Sequence, residues 1–163
     1  MTTYRVGIIG TGRKPDVLPD GRRRGGGIAE FHARGYEALE QTKIVAAADI
    51  NRENLDSFCD RHHVESRYVD YRDMLAREDL DIVSVCTWVA LHPEVTIAAA
   101  NARPKGILCE KPMALSLPQA DAMVDACARN HVTFAINHQR RLGSAFGEAR
   151  DLLKSGAIGD LVR

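Results

Sequence analysis

The sequence lacks the features that mark several classes of protein. Basic residues (Lys and Arg) and acidic residues (Asp and Glu) are equally frequent, 22 of each in 163, so nothing indicates a nucleic-acid partner. No apolar run approaches the length of a transmembrane helix, and the first residues, MTTYRVG, lack the apolar segment of a secretory signal. We therefore expect a cytoplasmic protein that contacts neither nucleic acid nor membrane.

Cysteine is also scarce, and its spacing excludes the usual cysteine-based sites. There are four cysteines, with no C-x-x-C pair and no Cys/His spacing typical of a metal site. Cys86 and Cys109 stand at the ends of apolar runs, where a free thiol behaves as a small hydrophobic side chain. The sequence predicts buried free thiols, no metal site and a reducing compartment.

What the sequence does contain is a regular alternation of strand-like and helix-like segments. The predicted strands are 4–9, 43–49, 66–69, 81–86, 106–109 and 132–137. The predicted helices are about 27–40, 51–62, 71–76, 92–101, 117–129 and 144–155, with Asn51 and Ser116 as caps. The strands are almost continuously apolar, as burial on both faces requires. The order predicts an α/β fold, a doubly wound parallel sheet of about six strands with helices on both faces, the Rossmann fold.

A glycine motif occurs in two pieces around the start of the first predicted helix. Gly10-Thr11-Gly12 follows the first strand, and Gly27-Ile28-Ala29 opens the helix. If residues 13–26 loop out, the two pieces join as Gly-x-Gly-x-x-Ala, which supplies a tight turn, a bare backbone and a helix N-terminus for a pyrophosphate. The cofactor-binding residues predicted here are Gly10, Thr11, Gly12, Ile28 and Ala29.

Asp49 supports this joined motif. It closes the second predicted strand and follows Ala29 by 20 residues, the spacing expected of an acidic residue that binds the adenosine ribose. Its carboxylate should repel a 2′-phosphate and so favours NAD over NADP, although the nearby Arg52 could accept that phosphate. We include Ile50 and Arg52 in the predicted site. The alternative is that Asp49 only ends a strand.

Two further strand ends place polar residues at the same predicted edge. Thr87, Trp88 and His92 follow the fourth strand, where ligands bind in open α/β sheets. Trp88 could instead be a packing residue, and His92 could simply begin a helix. Glu110 and Lys111 follow the fifth strand, and Lys111 could bind a substrate hydroxyl or assist proton transfer. The alternative for Lys111 is a solvated loop lysine.

With these residues in place, the chain resembles the N-terminal domain of the Gfo/Idh/MocA oxidoreductases. The resemblance rests on VGIIGTG, GIAEFHARGY, VAAADINRE, VSVCT, GILCEKPMALS and FAINHQRR, followed by SGAIGDL. It implies a Rossmann domain at 1–141 and the start of a linker or second domain at 142–163. It also implies hydride transfer between NAD and an alcohol carbon of a sugar-like or cyclitol substrate.

The resemblance also assigns roles to the predicted site residues. It places the pyrophosphate at Gly10, Gly12 and Ala29, and the ribose at Asp49. Other side chains would line the cofactor or approach the nicotinamide, with Lys111 also reaching the substrate as a catalytic residue: Thr87, Trp88, His92, Glu110 and Lys111.

Two departures from the family pattern leave alternatives open. Residues 13–26 are an insertion with five basic side chains, which either covers the cofactor phosphates or is a mobile surface loop. The substrate-binding domain is expected to lie outside this chain. The chain could therefore be a non-catalytic nucleotide-binding module that self-associates through apolar side chains of the last helix, Phe146, Leu152 and Leu153. A role for NAD in glycoside cleavage is a further alternative.

Overall fold

The computed structural model describes residues 3–17, 19–20, 23–24 and 26–160. In chain order, its strands are β1 (Tyr4–Ile9), β2 (Asp16–Val17), β3 (Arg23–Arg24), β4 (Thr42–Ala48), β5 (Ser66–Tyr68), β6 (Ile82–Val85), β7 (Gly106–Cys109) and β8 (Thr133–Ile136). The helices are α1 (Ala29–Glu37), α2 (Arg52–Arg61), α3 (Tyr71–Arg77), α4 (His92–Asn101), α5 (Leu117–Arg129) and α6 (Ser144–Lys154), with short 3-10 turns at Val89–Leu91 and Gln139–Leu142.

The central sheet has the doubly wound order that the sequence predicts. Its six strands are all parallel and lie in the order β5-β4-β1-β6-β7-β8, so the chain starts in the middle and winds outward in both directions. This confirms the predicted fold class. None of the described helices is long and apolar enough to cross a membrane.

Helices cover both faces of this sheet. On one face, Ala33 of α1 and Phe58 of α2 share a core with Ile8 of β1. On the opposite face, Val95 of α4 and Met123 of α5 share a second core. All four cysteines are buried free thiols, as predicted. The fold is thus held by two apolar layers, and core side chains extend to the last residue of β1, β4, β6 and β7.

Three predicted details are changed or refined by the structure. Within the insertion, where the sequence predicts no strand or helix, β2 and β3 pair as an antiparallel ladder, Asp16 opposite Arg24. Asn51 caps α2 as predicted, accepting the Asn54 N–H at 3.0 Å. Ser116 occupies the N-cap position of α5 without a side-chain cap bond. A proline in the first turn of α5 removes one of the N–H groups that a cap could accept.

Some predicted features lie outside the described residues. These are Arg22 and Gly25 of the insertion and residues 161–163 at the end of the chain.

Candidate functional site

The two pieces of the glycine motif meet at the carboxyl end of β1. A Cβ placed on Gly12 would lie 2.5 Å from the Gly27 Cα, so the backbones of the two glycines are in contact. Gly12 has a φ of +73°, and Gly10 has a φ of +87°, conformations that favour glycine. A Cβ on Gly10 would lie 2.9 Å from the backbone of Cys86. The insertion therefore leaves and re-enters the fold at one point, and the joined turn is closed by direct backbone contact.

Helix α1 begins immediately after this turn. Ile28 is in its N-cap position with helical φ and ψ and no side-chain cap, and Ala29 is fully buried. Of the first N–H groups of α1, those of Glu30 and Phe31 donate to the Gly27 and Ile28 carbonyl oxygens, at 3.2 and 2.9 Å. Together with the helix dipole, such an uncapped N-terminus next to a glycine turn suits an anion.

Asp49 follows β4, the strand next to β1, and its carboxylate connects the glycine turn with the start of α2. Its Oδ2 accepts the Thr11 N–H at 2.8 Å and the Thr11 hydroxyl at 2.9 Å. Its Oδ1 accepts the Asn51 N–H at 2.8 Å. A carboxylate offers about four acceptor positions, so these three bonds leave room for one further donor. Thr11 is buried, and its two hydrogen bonds fix the orientation of the Asp49 carboxylate.

The residues around Asp49 differ in exposure. Ile50 is almost fully exposed, with 87% of its surface accessible. The Arg52 Nε donates to the Asp56 Oδ2 at 2.9 Å, which directs this guanidinium along α2. Lys14 of the insertion also reaches α2, where its ammonium lies 3.2 Å from the Glu53 Oε1.

The loop after β6 places its three predicted residues in different surroundings. Thr87 is half-buried, and Trp88 is exposed, with 84% of its surface accessible. His92 begins α4 and is fully buried. Its Nδ1 lies 2.8 Å from the Pro112 carbonyl oxygen and its Nε2 lies 3.0 Å from the Thr87 carbonyl oxygen. His92 thus lies between the backbones of two loops at this edge.

Glu110 and Lys111 point into opposite environments after β7. Glu110 is buried, while the Lys111 side chain is exposed at the edge of the sheet. The Lys111–Pro112 peptide bond is cis. The Glu110 Oε1 lies 2.9 Å from the His32 Nε2 and accepts the Asn137 amide N–H at 2.5 Å. Lys111 is therefore the one of the pair that is available to a ligand.

Sequence reasoning missed two partners of Glu110, His32 and Asn137, and also Ser84, which contacts the other ring nitrogen of His32 at 3.1 Å. His32 lies on the buried face of α1, and Ser84 lies inside the apolar run of β6. A polar side chain in either position needs a hydrogen-bond partner, and that requirement was the available signal. Asn137 closes the last predicted strand and so shares the edge with Asp49 and Glu110.

The sequence that forms this site matches the model of a known protein family. The model of the Gfo/Idh/MocA oxidoreductase family, with its NAD-binding Rossmann fold, matches residues 24–138 of the chain. The chain belongs to this family. The match begins at residue 24, near the end of the insertion. In this Gfo/Idh/MocA chain, β1 and the first glycines of the motif therefore lie before the matched residues.

Relatives of this Gfo/Idh/MocA chain are dehydrogenases and oxidoreductases. The uncharacterized oxidoreductase YrbE of Bacillus subtilis is 31% identical over 94% of the chain, which covers 41% of that protein. Myo-inositol 2-dehydrogenase of Thermotoga maritima is 27% identical over 95% of the chain, which covers 42% of it. The crystal structure of an Agrobacterium radiobacter oxidoreductase with NAD+, L-tartaric acid and magnesium has a TM-score of 0.83 at 25% identity, over 98% of this chain and 42% of that one. The chain spans about two fifths of the length of these proteins.

Proposed function

We propose that this chain is the cofactor-binding part of an NAD-dependent dehydrogenase that acts on an alcohol carbon of a sugar or cyclitol. The observation that carries the proposal is the contact between Gly12 and Gly27, which joins the split motif next to the carboxylate of Asp49. The named activity of the myo-inositol relative supports the substrate class. We assign residues 1–141 to the cofactor domain and 142–163 to the start of a second domain.

The residues at this edge fit a dinucleotide. The glycine turn and the uncapped start of α1 offer backbone N–H groups to a pyrophosphate. Asp49 has one acceptor position left for a ribose hydroxyl, and Thr11 holds the carboxylate in that orientation. Thr87 and Trp88 lie at the next strand end toward Lys111, on the path to a nicotinamide. Bound NAD supplies the hydride chemistry.

Two observations favour NAD over NADP. The Asp49 carboxylate would stand beside a 2′-phosphate and repel it. Arg52, the side chain that could compensate, is paired with Asp56. We expect calorimetric titration of the chain to give NADH a dissociation constant lower than that of NADPH by about tenfold or more.

Two variants test the assignment of that preference. Asp49→Asn should lose most of the discrimination because it removes the negative charge. Arg52→Ala tests the other side chain that could bear on the preference: because Arg52 is paired with Asp56, the substitution should leave the NADH affinity and the preference almost unchanged. Equal affinities of the unaltered chain for NADH and NADPH would remove the role given to Asp49.

Lys111 is the residue that we place between cofactor and substrate. Its ammonium form can donate a hydrogen bond to an alcohol oxygen, and its neutral amine form can accept the alcohol proton as the hydride passes to NAD. In the whole enzyme, Lys111→Ala should lower kcat by about a hundredfold or more, with a much smaller effect on NADH binding. Lys105→Ala, at the opposite end of β7, is the control. An unchanged kcat for Lys111→Ala would exclude a catalytic role.

A second candidate function is a non-catalytic module that self-associates. The observation that favours it is the exposure of Phe146, Leu152 and Leu153 on α6, of which 55%, 49% and 40% of the surface is accessible. Sedimentation of the chain at several concentrations, with and without a Phe146→Ser substitution, tests association. Turnover of NAD with a cyclitol by the isolated chain would exclude the non-catalytic alternative.

A further inference from the structure

A buried network of side chains connects α1 with the loop that carries Lys111. His32 extends from α1, Glu110 follows β7 and Asn137 follows β8. The His32 Nε2 lies 2.9 Å from the Glu110 Oε1, and the Asn137 Nδ2 lies 2.5 Å from the same oxygen. The two nitrogens are themselves 3.1 Å apart, so both converge on one carboxylate oxygen. The side chains of His32 and Glu110 are only 2% and 5% accessible to solvent.

The direction of the hydrogen bonds follows from chemistry. An ionised carboxylate only accepts, so the His32 Nε2 carries the hydrogen and donates to Glu110. The Nδ1 of a neutral ring then accepts, and its neighbour at 3.1 Å is the Ser84 hydroxyl. The Ser84 oxygen in turn lies 2.8 Å from the Tyr36 hydroxyl, which can donate to it. With a neutral His32 ring and Tyr36 as donor, the hydrogen bonds run in one order from Tyr36 through Ser84 and His32 to Glu110.

The other oxygen of Glu110 connects the network to Lys111. The Oε2 accepts the Lys111 backbone N–H at 3.2 Å. Burial alone would raise the pKa of Glu110, but the hydrogen bonds from His32, Asn137 and the Lys111 N–H lower it below its ordinary value. The carboxylate is thus ionised and held on both sides by the protein.

We propose that Glu110 is a positioning residue, which His32 and Asn137 orient so that it fixes the backbone of Lys111. This differs from the sequence-based expectation that Glu110 itself approaches the nicotinamide. That this positioning serves catalysis by Lys111 rests on the proposed function. The connection from His32 through Glu110 to the Lys111 backbone is independent of that function, and it can be measured without a ligand.

The measurement is the hydrogen-exchange rate of the Lys111 amide in the 163-residue chain, followed by NMR without cofactor. Glu110→Gln and His32→Ala should each speed this exchange by about tenfold or more, because a hydrogen bond to a charged acceptor is lost or disordered. His32→Gln keeps an N–H donor and should restore most of the protection. The exposed His131→Ala is the matched control. Core amides of β1, such as that of Ile8, report whether each variant is folded.

Asn137→Ala supplies a second route if His32→Ala does not fold, and it should also speed the exchange. Unchanged Lys111 exchange in Glu110→Gln, or equal exchange in His32→Ala and His32→Gln, would overturn the proposal. Weaker NADH binding by Glu110→Gln with unchanged Lys111 exchange would show direct contact with the cofactor and would also overturn it. If the unaltered chain binds no NADH, the proposed function fails, while the exchange result still decides the positioning role.

Discussion

At the scale of single residues, Gly12 has no space for a side chain. Its φ is +73°, and a Cβ would lie 2.5 Å from the Gly27 Cα. Gly12→Ala should therefore lower the free energy of unfolding by about 1–3 kcal/mol, since strain and a backbone clash act together. Gly35, within α1, has open space around it and is the matched control. Gly35→Ala should raise the free energy of unfolding by about 0.5–1 kcal/mol.

Urea unfolding curves of the two variants check these expectations, with the unaltered chain as reference. A Gly12→Ala variant as stable as the reference would mean that the two backbones move apart at little cost. The contact that joins the split motif would then be looser than the structure indicates.

The same scale shows what could be read from the sequence and what could not. The position of Asp49 at a strand end followed from its spacing to Ala29. The contact of His32 with Glu110 could not be predicted from spacing. These residues are 78 apart in the chain and meet only when α1 packs on the sheet. Spacing within one element predicts which face a residue occupies, but it does not predict which distant side chain lies opposite.

At the scale of elements, the two predicted caps offer a direct comparison. Asn51 makes a cap bond to the Asn54 N–H, while Ser116 occupies the same position on α5 without one. Asn51→Ala should therefore lower the free energy of unfolding by about 1 kcal/mol. Ser116→Ala should change it by only a few tenths of that, because no cap bond is lost. Thermal unfolding of both variants measures the difference, and equal losses would contradict this account.

The elements themselves were largely predictable because their apolar runs are continuous. All six strands of the sheet were predicted, and their alternation with helices accounts for their parallel arrangement. The pairing of β2 with β3 could not be predicted, because each strand has only two residues and neither has an apolar run. Residues 142–163 remain assigned to a second domain by prediction alone.

At the scale of the whole molecule, partly buried carboxylates make stability depend on pH. Burial alone would raise the pKa of Glu30, but the hydrogen bonds from Arg61 and His62 lower it below its ordinary value. The pKa of Glu110 is lowered in the same way by its own hydrogen bonds. A folded-state pKa below the unfolded value stabilises the fold fully above the ordinary glutamate pKa of 4.5. That contribution is lost as the pH falls through the lower folded-state value.

We therefore expect the free energy of unfolding to be nearly constant from pH 7 to about 5 and to fall steadily below about pH 4.5. Urea unfolding at a series of pH values measures this. Glu110→Gln should be less stable at pH 7 and should lose less stability on acidification, because one of the responsible groups is gone. An identical pH dependence in the variant and the unaltered chain would assign the effect to other carboxyl groups.

The contact of Gly12 with Gly27 has a consequence for engineering. A protein domain can be spliced into another where the two ends of the host lie side by side and the chain between them is not needed for the fold. The two ends of residues 13–26 lie side by side in this way, and lengthening a loop costs only about 0.6 kcal/mol for each doubling. A fluorescent reporter with adjacent termini could replace them. Because its two ends would sit on the glycine turn, its signal would follow events at that turn.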